Sequence, residues 1–294
     1  MDSSVMLESS DTKNHELGKV PWAELLADTL VEVFKWLPVK DHLLTLPQIC
    51  KAWRKASCDP GCWRVVDLKE WCRDHSVEDI DRMVRVVVER SCGGIEDLRL
   101  AYMDGDASLQ FLARSGLSSL KTLCIPGSYI TENGLCELVV SLPSLAYLDI
   151  SKCDAVTSKG LEFIGHTCKS LTRLDRVMWE VRTSYFVLED SEAMAVAQNM
   201  PKLKHLEMSS DWVSNSSFNV IRASCKDLEV LEVVSADDDE EYMYWSERFQ
   251  ERAYYSEDDL ELEEYIDAEI DGYHPEYLWF LSKPALEAMA ALIR

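Results

Sequence analysis

The first ordered segment of the chain carries apolar residues at helical spacing. Between Trp22 and Leu37 these residues follow one another at steps of four, three and four. They are Leu26, Leu30, Val33 and Leu37, with Leu25 and Phe34 widening the stripe. A stripe of this kind forms one face of a helix. Pro38 ends it, because proline has no backbone N–H and clashes with the preceding turn. The pattern therefore predicts a helix over 22–37.

Two shorter helices are predicted after this proline. Asp41 is placed to cap one over residues 42–44. Pro47 is tolerated in a first helical turn, so it opens another over residues 47–56, which carries Ile49 and Trp53. The three helices together present more apolar surface than so short a unit can bury by itself. We therefore expect part of that surface to pack on the rest of the chain and part to bind a partner.

The following part of the chain repeats with a period that can be counted. A Leu-x-x-Leu-x-Leu/Ile motif recurs at intervals of 25, 25, 26, 32 and 25 residues. Its first residues are Ile95, Leu120, Leu145, Leu171, Leu203 and Leu228. Leucine-rich repeats have this period, and each repeat adds a strand, a turn and a helix. The sequence predicts an α/β fold, a short solenoid with parallel strands inside and helices outside.

Apolar residues between these anchors step by five, three and four, as the outer helices require. Three such series are Ile130/Leu135/Leu138/Leu142, Val156/Leu161/Ile164/Cys168 and Val213/Phe218/Ile221/Cys225. Four segments are predicted along the chain. They are a disordered arm (1–18), a three-helix unit (19–68), about six repeats (69–235) and an acidic, aromatic-containing, partly disordered tail (236–294).

The fourth interval is about six residues longer than the others, and the extra residues belong to the loop that leaves the fourth strand. That loop holds Trp179, Arg182 and Tyr185, whose residue types dominate binding hot spots. We expect these three residues to bind another protein. In an alternative interpretation, Trp179 and Phe186 fold back to cover the gap left by Arg176, which occupies a strand position expected to be apolar.

Three acidic residues are expected on the exposed side of the neighbouring strands. They are Asp149, Glu207 and Glu232. Together they would make the concave floor of the solenoid acidic and favour the binding of a basic segment of another protein.

The charge of the chain limits its partners. The formal net charge is -23, and residues 237–276 hold 17 acidic and 2 basic side chains. Because this charge repels polyanions, we expect no nucleic-acid partner. The same charge density leaves little to bury, so cutting the chain after Ser235 is expected to leave the repeats folded. An apolar helix is expected over 284–293.

The N-terminus lacks the basic flank and apolar core of a secretory signal, and no run approaches the ~20 apolar residues that span a bilayer. We expect a soluble nuclear or cytoplasmic protein with no membrane partner. Its ten cysteines are then expected to be free thiols.

Residues 22–68 resemble an F-box. The string reads Trp22-x-x-Leu25, Leu30-x-x-Val33-Phe34-x-x-Leu37-Pro38, Ile49-Cys50-Lys51-x-Trp53-Arg54 and Asp59-Pro60-x-x-Trp63-x-x-x-Asp67-Leu68. Leu26 stands where the family usually has a proline. With the repeats behind it, the chain is similar to plant F-box/leucine-rich-repeat proteins.

This resemblance implies that the F-box docks on the Skp-type adaptor of a cullin-based SCF ubiquitin ligase. A protein substrate, which the sequence does not identify, would then be held by the repeats near a ubiquitin-charged conjugating enzyme. The adaptor-binding residues that the resemblance implies share an apolar side chain. They are Leu25, Leu30, Val33, Leu37, Pro38, Leu43, Leu44, Ile49 and Trp53. The alternative is a scaffold or competitive inhibitor that binds the adaptor without substrate turnover.

Histidines and cysteines show neither catalytic nor metal-binding spacing. The six histidines are scattered, no His-x-x-x-His or Cys-x-x-Cys pair occurs, and no Gly-rich loop precedes a predicted helix. The acidic run lacks the glycine and the spacing of a calcium loop. We expect no catalytic residue, no metal and no cofactor, and a chain that is not an enzyme.

Overall fold

The computed structural model describes residues 25–178, 190–209 and 214–234. The described chain forms a helical unit followed by a solenoid of strand–helix repeats. The predicted α/β fold class is confirmed. Within the described ranges, no helix is both long and apolar enough to cross a membrane. The predicted arm (1–18) and tail (236–294) lie outside the described residues.

The helical unit is built from short elements. They are α1 (Ala27–Phe34), a π-helical turn (Asp41–Thr45), α2 (Leu46–Ile49), α3 (Lys51–Ser57) and a 3₁₀ turn (Pro60–Trp63). Helix α1 is shorter at both ends than the predicted helix over 22–37. Its N-cap, Leu26, has an extended backbone, and Phe34 is its last residue. Residues 22–24 lie outside the described part of the chain.

Two details of the predicted helices were wrong. Asp41 does not cap the second helix, because Lys40 precedes it as the N-cap. The Asp41 carboxylate instead accepts a hydrogen bond from Thr45 Oγ1 at 3.2 Å. The third helix is not continuous, because Cys50 adopts an extended backbone (φ −165°, ψ 168°) and separates α2 from α3.

Aromatic side chains hold the helical unit together. The Phe34 ring packs edge-on against Trp53 with centroids 5.1 Å apart, and His42 packs in the same way on Trp63 at 5.4 Å. Trp63 Nε1 donates to the Ser57 carbonyl at 2.9 Å, so this large ring is buried with its polar atom satisfied. Burial lowers the pKa of His42, which favours the neutral ring in the core.

Seven parallel strands, paired in sequence order, form the inner layer of the described solenoid. They are β1 (Val65–Asp67), β2 (Asp97–Arg99), β3 (Thr122–Cys124), β4 (Tyr147–Asp149), β5 (Arg173–Arg176), β6 (His205–Ser209) and β7 (Val230–Val234). β1 lies inside the range predicted for the three-helix unit. The end of the helical unit is therefore also the first strand of the sheet.

The outer layer is helical. It consists of α4 (Lys69–Asp74), α5 (Val77–Ser91), α6 (Ala107–Arg114), α7 (Glu132–Val140), α8 (Ser158–Thr167), α9 (Ser191–Asn199) and α10 (Asn215–Ser224). The core lies between the two layers. Five of the six predicted anchors are buried there, and Leu228, in the last repeat, is half-buried.

Hydrogen bonds join the start of one outer helix to the start of the next. The Glu132 carboxylate accepts hydrogen bonds from the backbone N–H of Thr157 at 2.8 Å and of Gly160 at 2.9 Å. Burial alone would raise the pKa of Glu132, but these hydrogen bonds outweigh burial and lower it. A Cβ at Gly160 would lie 2.8 Å from Glu132 Oε2, so the contact requires glycine. The same arrangement joins Asp106 to Thr131 and Asp190 to Ser214.

Arg176 occupies a core position that Ile125 and Ile150 fill in the preceding repeats. Its side chain is only 1% exposed. The guanidinium donates to Glu192 through Nε at 3.2 Å and through Nη2 at 3.0 Å. Its other contacts are to the carbonyls of Ile150, Cys153 and Val156. These bonds use all five donors of the side chain.

A cavity of about 160 Å³ lies beside the Arg176 side chain, and Val156, Met178 and Glu192 are among the residues that line it. The interpretation that Trp179 and Phe186 fold back to cover a gap at Arg176 stays a prediction. Both residues lie outside the described chain.

Replacing Arg176 by alanine should destabilise the repeats by about 3 to 5 kcal/mol, because Glu192 and the three carbonyls lose their buried partner. Arg176→Lys should be less stable than the wild type and more stable than Arg176→Ala, since one ammonium cannot reach all of these acceptors. Urea unfolding at pH 7 measures the change. Arg222→Ala, at an exposed position of α10, is the control and should change stability by less than about 0.5 kcal/mol. A loss below about 1 kcal/mol for Arg176→Ala would contradict this account.

Candidate functional site

The face of the sheet opposite the outer helices carries two rows of side chains. Successive residues of a strand point to opposite faces, so the residues that flank each buried central residue face away from the helices. The first row is Val65, Asp97, Thr122, Tyr147, Arg173, His205 and Val230. The second row is Asp67, Arg99, Cys124, Asp149, Asp175, Glu207 and Glu232.

Four carboxylates stand side by side in the second row. Asp149, Asp175, Glu207 and Glu232 are register partners on β4 to β7, and neighbouring strands lie about 4.8 Å apart. We call this set the acidic ladder. Burial raises the pKa of Glu207, and the charges of Asp175 and Glu232 raise it further. Burial also raises the pKa of Asp149.

One member of the ladder is already paired. Arg173 Nη2 donates to Asp175 at 2.8 Å, and the Tyr147 hydroxyl donates to the same carboxylate at 2.6 Å. The guanidinium also lies 4.4 Å from the centre of the Tyr147 ring. Within the described residues, no cation lies at ion-pair distance from Glu207 or Glu232. The ladder therefore keeps uncompensated negative charge toward its C-terminal end.

The three acidic residues predicted from the sequence are all in this ladder. Asp149, Glu207 and Glu232 lie on neighbouring or next-neighbouring strands. Sequence reasoning missed Asp175, which the alternation of buried and exposed residues along β5 could have found. It also missed Arg173. The same alternation along β5 is the only signal in the sequence that could have found this residue.

The ladder borders a groove with a volume of about 810 Å³ at the carboxyl ends of the strands. Lys69 and Arg73, which follow β1, line one end. Asp67 and Glu70 lie beside these two basic residues, and Asp149, Lys152 and Glu207 also line the groove. The lining therefore carries four acidic and three basic side chains.

Three groove residues have a left-handed backbone. Tyr102, Gly127 and Lys152 have φ values of 61°, 63° and 60°, and each is the fourth residue after the buried centre of its strand. Only glycine adopts this conformation freely. Backbone strain of this kind concentrates at functional sites, and at Tyr102 and Lys152 it places large side chains at the groove.

Asp175, His205 and Glu207 each offer one ligand atom, and these atoms lie within 4.8 Å of one another. The arrangement is a poor cation site, because the Arg173 guanidinium already occupies the Asp175 carboxylate and repels a second positive charge.

The predicted loop residues Trp179, Arg182 and Tyr185 lie outside the described chain. Val177, just before this segment, lines the groove. The loop therefore leaves the sheet at the rim of the groove, and the role of its three residues stays a prediction.

The nine predicted adaptor-binding residues separate into two groups. Leu30, Val33, Leu37 and Trp53 are buried in the core of the chain, and a contact of the nine residues with the adaptor stays a prediction. Pro38 is exposed, and the remaining four are half-buried. They are Leu25, Leu43, Leu44 and Ile49.

Two exposed apolar residues of the helical unit were missed. Leu26 is 76% exposed and Trp36 is 75% exposed. The signal for Trp36 was its position between Phe34 and Leu37, off the four-three-four stripe. A tryptophan in that position has no place in the buried face of the helix.

Comparison with known proteins identifies the helical unit. Residues 22–65 match the family model of the F-box domain. The F-box protein FBW2 of Arabidopsis thaliana is 36% identical over 213 residues, which cover 72% of this chain and 67% of that protein. "Putative F-box/LRR-repeat protein 22" of the same plant is 30% identical over 215 residues, covering 72% and 68%. The F-box protein SKIP19 of Arabidopsis thaliana is 30% identical over 235 residues, covering 76% and 73%.

These relatives extend well beyond the 44 residues of the F-box match, so the similarity includes the repeats. F-box proteins typically serve as adaptors for substrates rather than as enzymes. The matches support, in general, the role of a substrate receptor in a ubiquitin ligase. The chain belongs to the family of plant F-box and F-box/LRR-repeat proteins.

Proposed function

We propose that this chain is the substrate-recognition subunit of a cullin-based SCF ubiquitin ligase. Its F-box docks on a Skp-type adaptor, and its groove holds a basic segment of a protein substrate in the nucleus or cytoplasm. The chain supplies proximity and effective concentration, and catalysis belongs to other subunits. The observation that supports this proposal most is that a matched F-box and a repeat sheet that bears the acidic ladder share one continuous core.

Exposed apolar side chains support the adaptor contact. Trp36 and Leu26 are largely in solvent, and Pro38 is exposed as well. Tryptophan is among the residue types that contribute most to protein interfaces. The buried residues beneath, Leu30 and Trp53 among them, hold the helices in the geometry that presents this surface.

The acidic ladder supports a basic substrate segment. Glu207 is partly buried among like charges, and this raises the free energy of its ionised form. A lysine or arginine of the substrate would relieve that repulsion, so the groove favours cationic segments and disfavours acidic ones.

The adaptor contact is tested with Trp36→Ala. We expect the affinity for a purified Skp-type adaptor to fall by about 2 kcal/mol, roughly 30-fold in Kd, with no change in Tm because the side chain is exposed. Phe163→Ala, an exposed aromatic on α8, is the matched control and should leave binding unchanged. An unaltered Kd for the Trp36 variant in calorimetry would contradict the proposed contact.

A pulldown that is probed for cullin distinguishes a ligase receptor from a scaffold or competitive inhibitor. A receptor brings down cullin together with the adaptor and shortens the lifetime of a captured protein. A scaffold brings down the adaptor and leaves that lifetime unchanged.

The groove is tested with Glu207→Gln plus Glu232→Gln and a fluorescent octa-arginine peptide. We expect peptide affinity to fall about tenfold at 0.15 M salt, since two unpaired carboxylates are lost. Glu137→Gln plus Glu162→Gln, on the outer helices, removes the same charge and should weaken binding less than about twofold.

Binding to the wild-type groove should also weaken as the pH falls from 7 toward 5. The pKa values of Asp149 and Glu207 are raised, so their carboxylates take up protons at higher pH than ordinary acids do. Equal losses in the groove and control variants would show that the peptide responds only to overall charge.

A further inference from the structure

The last described repeat is less well covered than the others. Val233 takes the core position that Ile125 and Ile150 fill in earlier repeats, where both are fully buried, yet Val233 is 45% exposed. The anchor Leu228 is only half-buried, whereas the five earlier anchors are buried. The apolar side of this repeat thus faces outward within the described chain.

An open end of this kind is unfavourable. Each repeat buries its apolar face against its neighbours, so a terminal repeat needs a cap with a polar outer face. An unpaired strand edge also offers backbone N–H and C=O groups to other chains. Something must cover β7 and α10 in the stable protein, and the sequence identifies a candidate.

Two of the outer helices, α7 and α8, share a start signature. An apolar residue precedes a Ser or Thr N-cap, a small residue stands three positions after the cap, and buried residues follow at five, eight and twelve positions from the first. For α8 these residues are Val156, Thr157, Gly160, Leu161, Ile164 and Cys168. For α7 they are Ile130, Thr131, Gly134, Leu135, Leu138 and Leu142.

The C-terminal segment of the chain has the same signature in all six positions. It reads Leu281, Ser282, Ala285, Leu286, Met289 and Ile293. Pro284 would be the second residue after the cap, in the first helical turn, where proline is tolerated. The match is to the outer helix of a repeat and not merely to an amphipathic helix, because it includes the N-cap and the small residue.

We propose that residues 281–293 form the outer helix of the repeat that β7 begins, packed on α10 and over the exposed apolar side of β7. Leu286, Met289 and Ile293 are the residues that cover the apolar side of the last described repeat. This inference replaces the expectation, drawn from charge alone, that everything after Ser235 is dispensable for folding.

The placement has a consequence for the acidic run. In the two repeats that contain α7 and α8, the residue before the N-cap lies seven or eight positions after the buried centre of the strand, from Leu123 to Ile130 and from Leu148 to Val156. From Leu231 to Leu281 the distance is fifty residues. Residues 237–276 are then a long insertion between a strand and its helix. It leaves the sheet beside Val234, which lines the groove.

The test uses the full chain and two pairs of substitutions in the same segment. Leu286→Asp plus Met289→Asp places two charges on the face that carries the signature. Ala288→Asp plus Ala291→Asp places two charges on the opposite face of the same helix. Thermal unfolding and amide hydrogen exchange of β7 are measured for both.

We expect the first pair to lower the Tm by at least about 4 °C and to speed amide exchange in β7 by about tenfold or more, while the second pair changes neither. Deleting residues 237–276 should likewise leave β7 protected. Exchange measurement keeps the test valid even if the first pair lowers expression.

Equal effects from the two pairs, or no effect from either, would overturn the proposal. So would a concentration-dependent dimer of the intact chain whose β7 exchange is insensitive to the first pair, because a second copy would then cover this end.

Discussion

A leucine-rich repeat cannot bury its apolar face alone, and this constraint organises the whole chain. At the N-terminal end the F-box provides the cover. Its closing segment supplies β1, whose Val66 is fully buried, and Leu68 N–H donates to the Arg99 carbonyl at 2.8 Å. The hydrophobic core consequently runs without a break from Leu30 in α1 to Cys225 after α10. The exposed apolar residues of the F-box (Leu26, Trp36 and Pro38) and the groove therefore belong to one folded body.

The stacking of repeats also creates the acidic ladder. Because the strands pair in parallel and in register, one position of the repeat becomes a row across the sheet. Asp175 is neutralised by Arg173, whereas Glu207 and Glu232 have no such pair among the described residues. A charge pattern with a period of one repeat thus becomes a row of neighbouring carboxylates across the sheet.

Much of this architecture could be predicted from the sequence. The 25-residue period located the repeats, because a Leu-x-x-Leu-x-Leu motif with a period of 20 to 29 residues is the signature of leucine-rich repeats. The four-three-four stripe located α1 and left Trp36 off its buried face, but it also included Leu26, which is 76% exposed. Which residues of the stripe are buried depends on how three short helices pack together. The break at Cys50 had no local signal.

Arg176 marks another limit of prediction. A charged residue in a strand position expected to be apolar reads as a defect in the pattern. Its acceptors include the carbonyls of Ile150 and Val156, which come from the preceding repeat and meet only after stacking. A local sequence pattern carries no information about such carbonyls. The acidic positions of the floor were predictable, in contrast, since strand alternation alone places them.

The single core shared by the F-box and the repeats is the claim on which this account depends most. Native-state hydrogen exchange across a denaturant series tests it directly. If the core is continuous, amides of α3 and β1 should exchange with the same free energy of opening as those of β2 to β4, within about 1 kcal/mol. Exchange of α3 and β1 through a separate, lower-energy opening, while β2 to β4 stay protected, would contradict it.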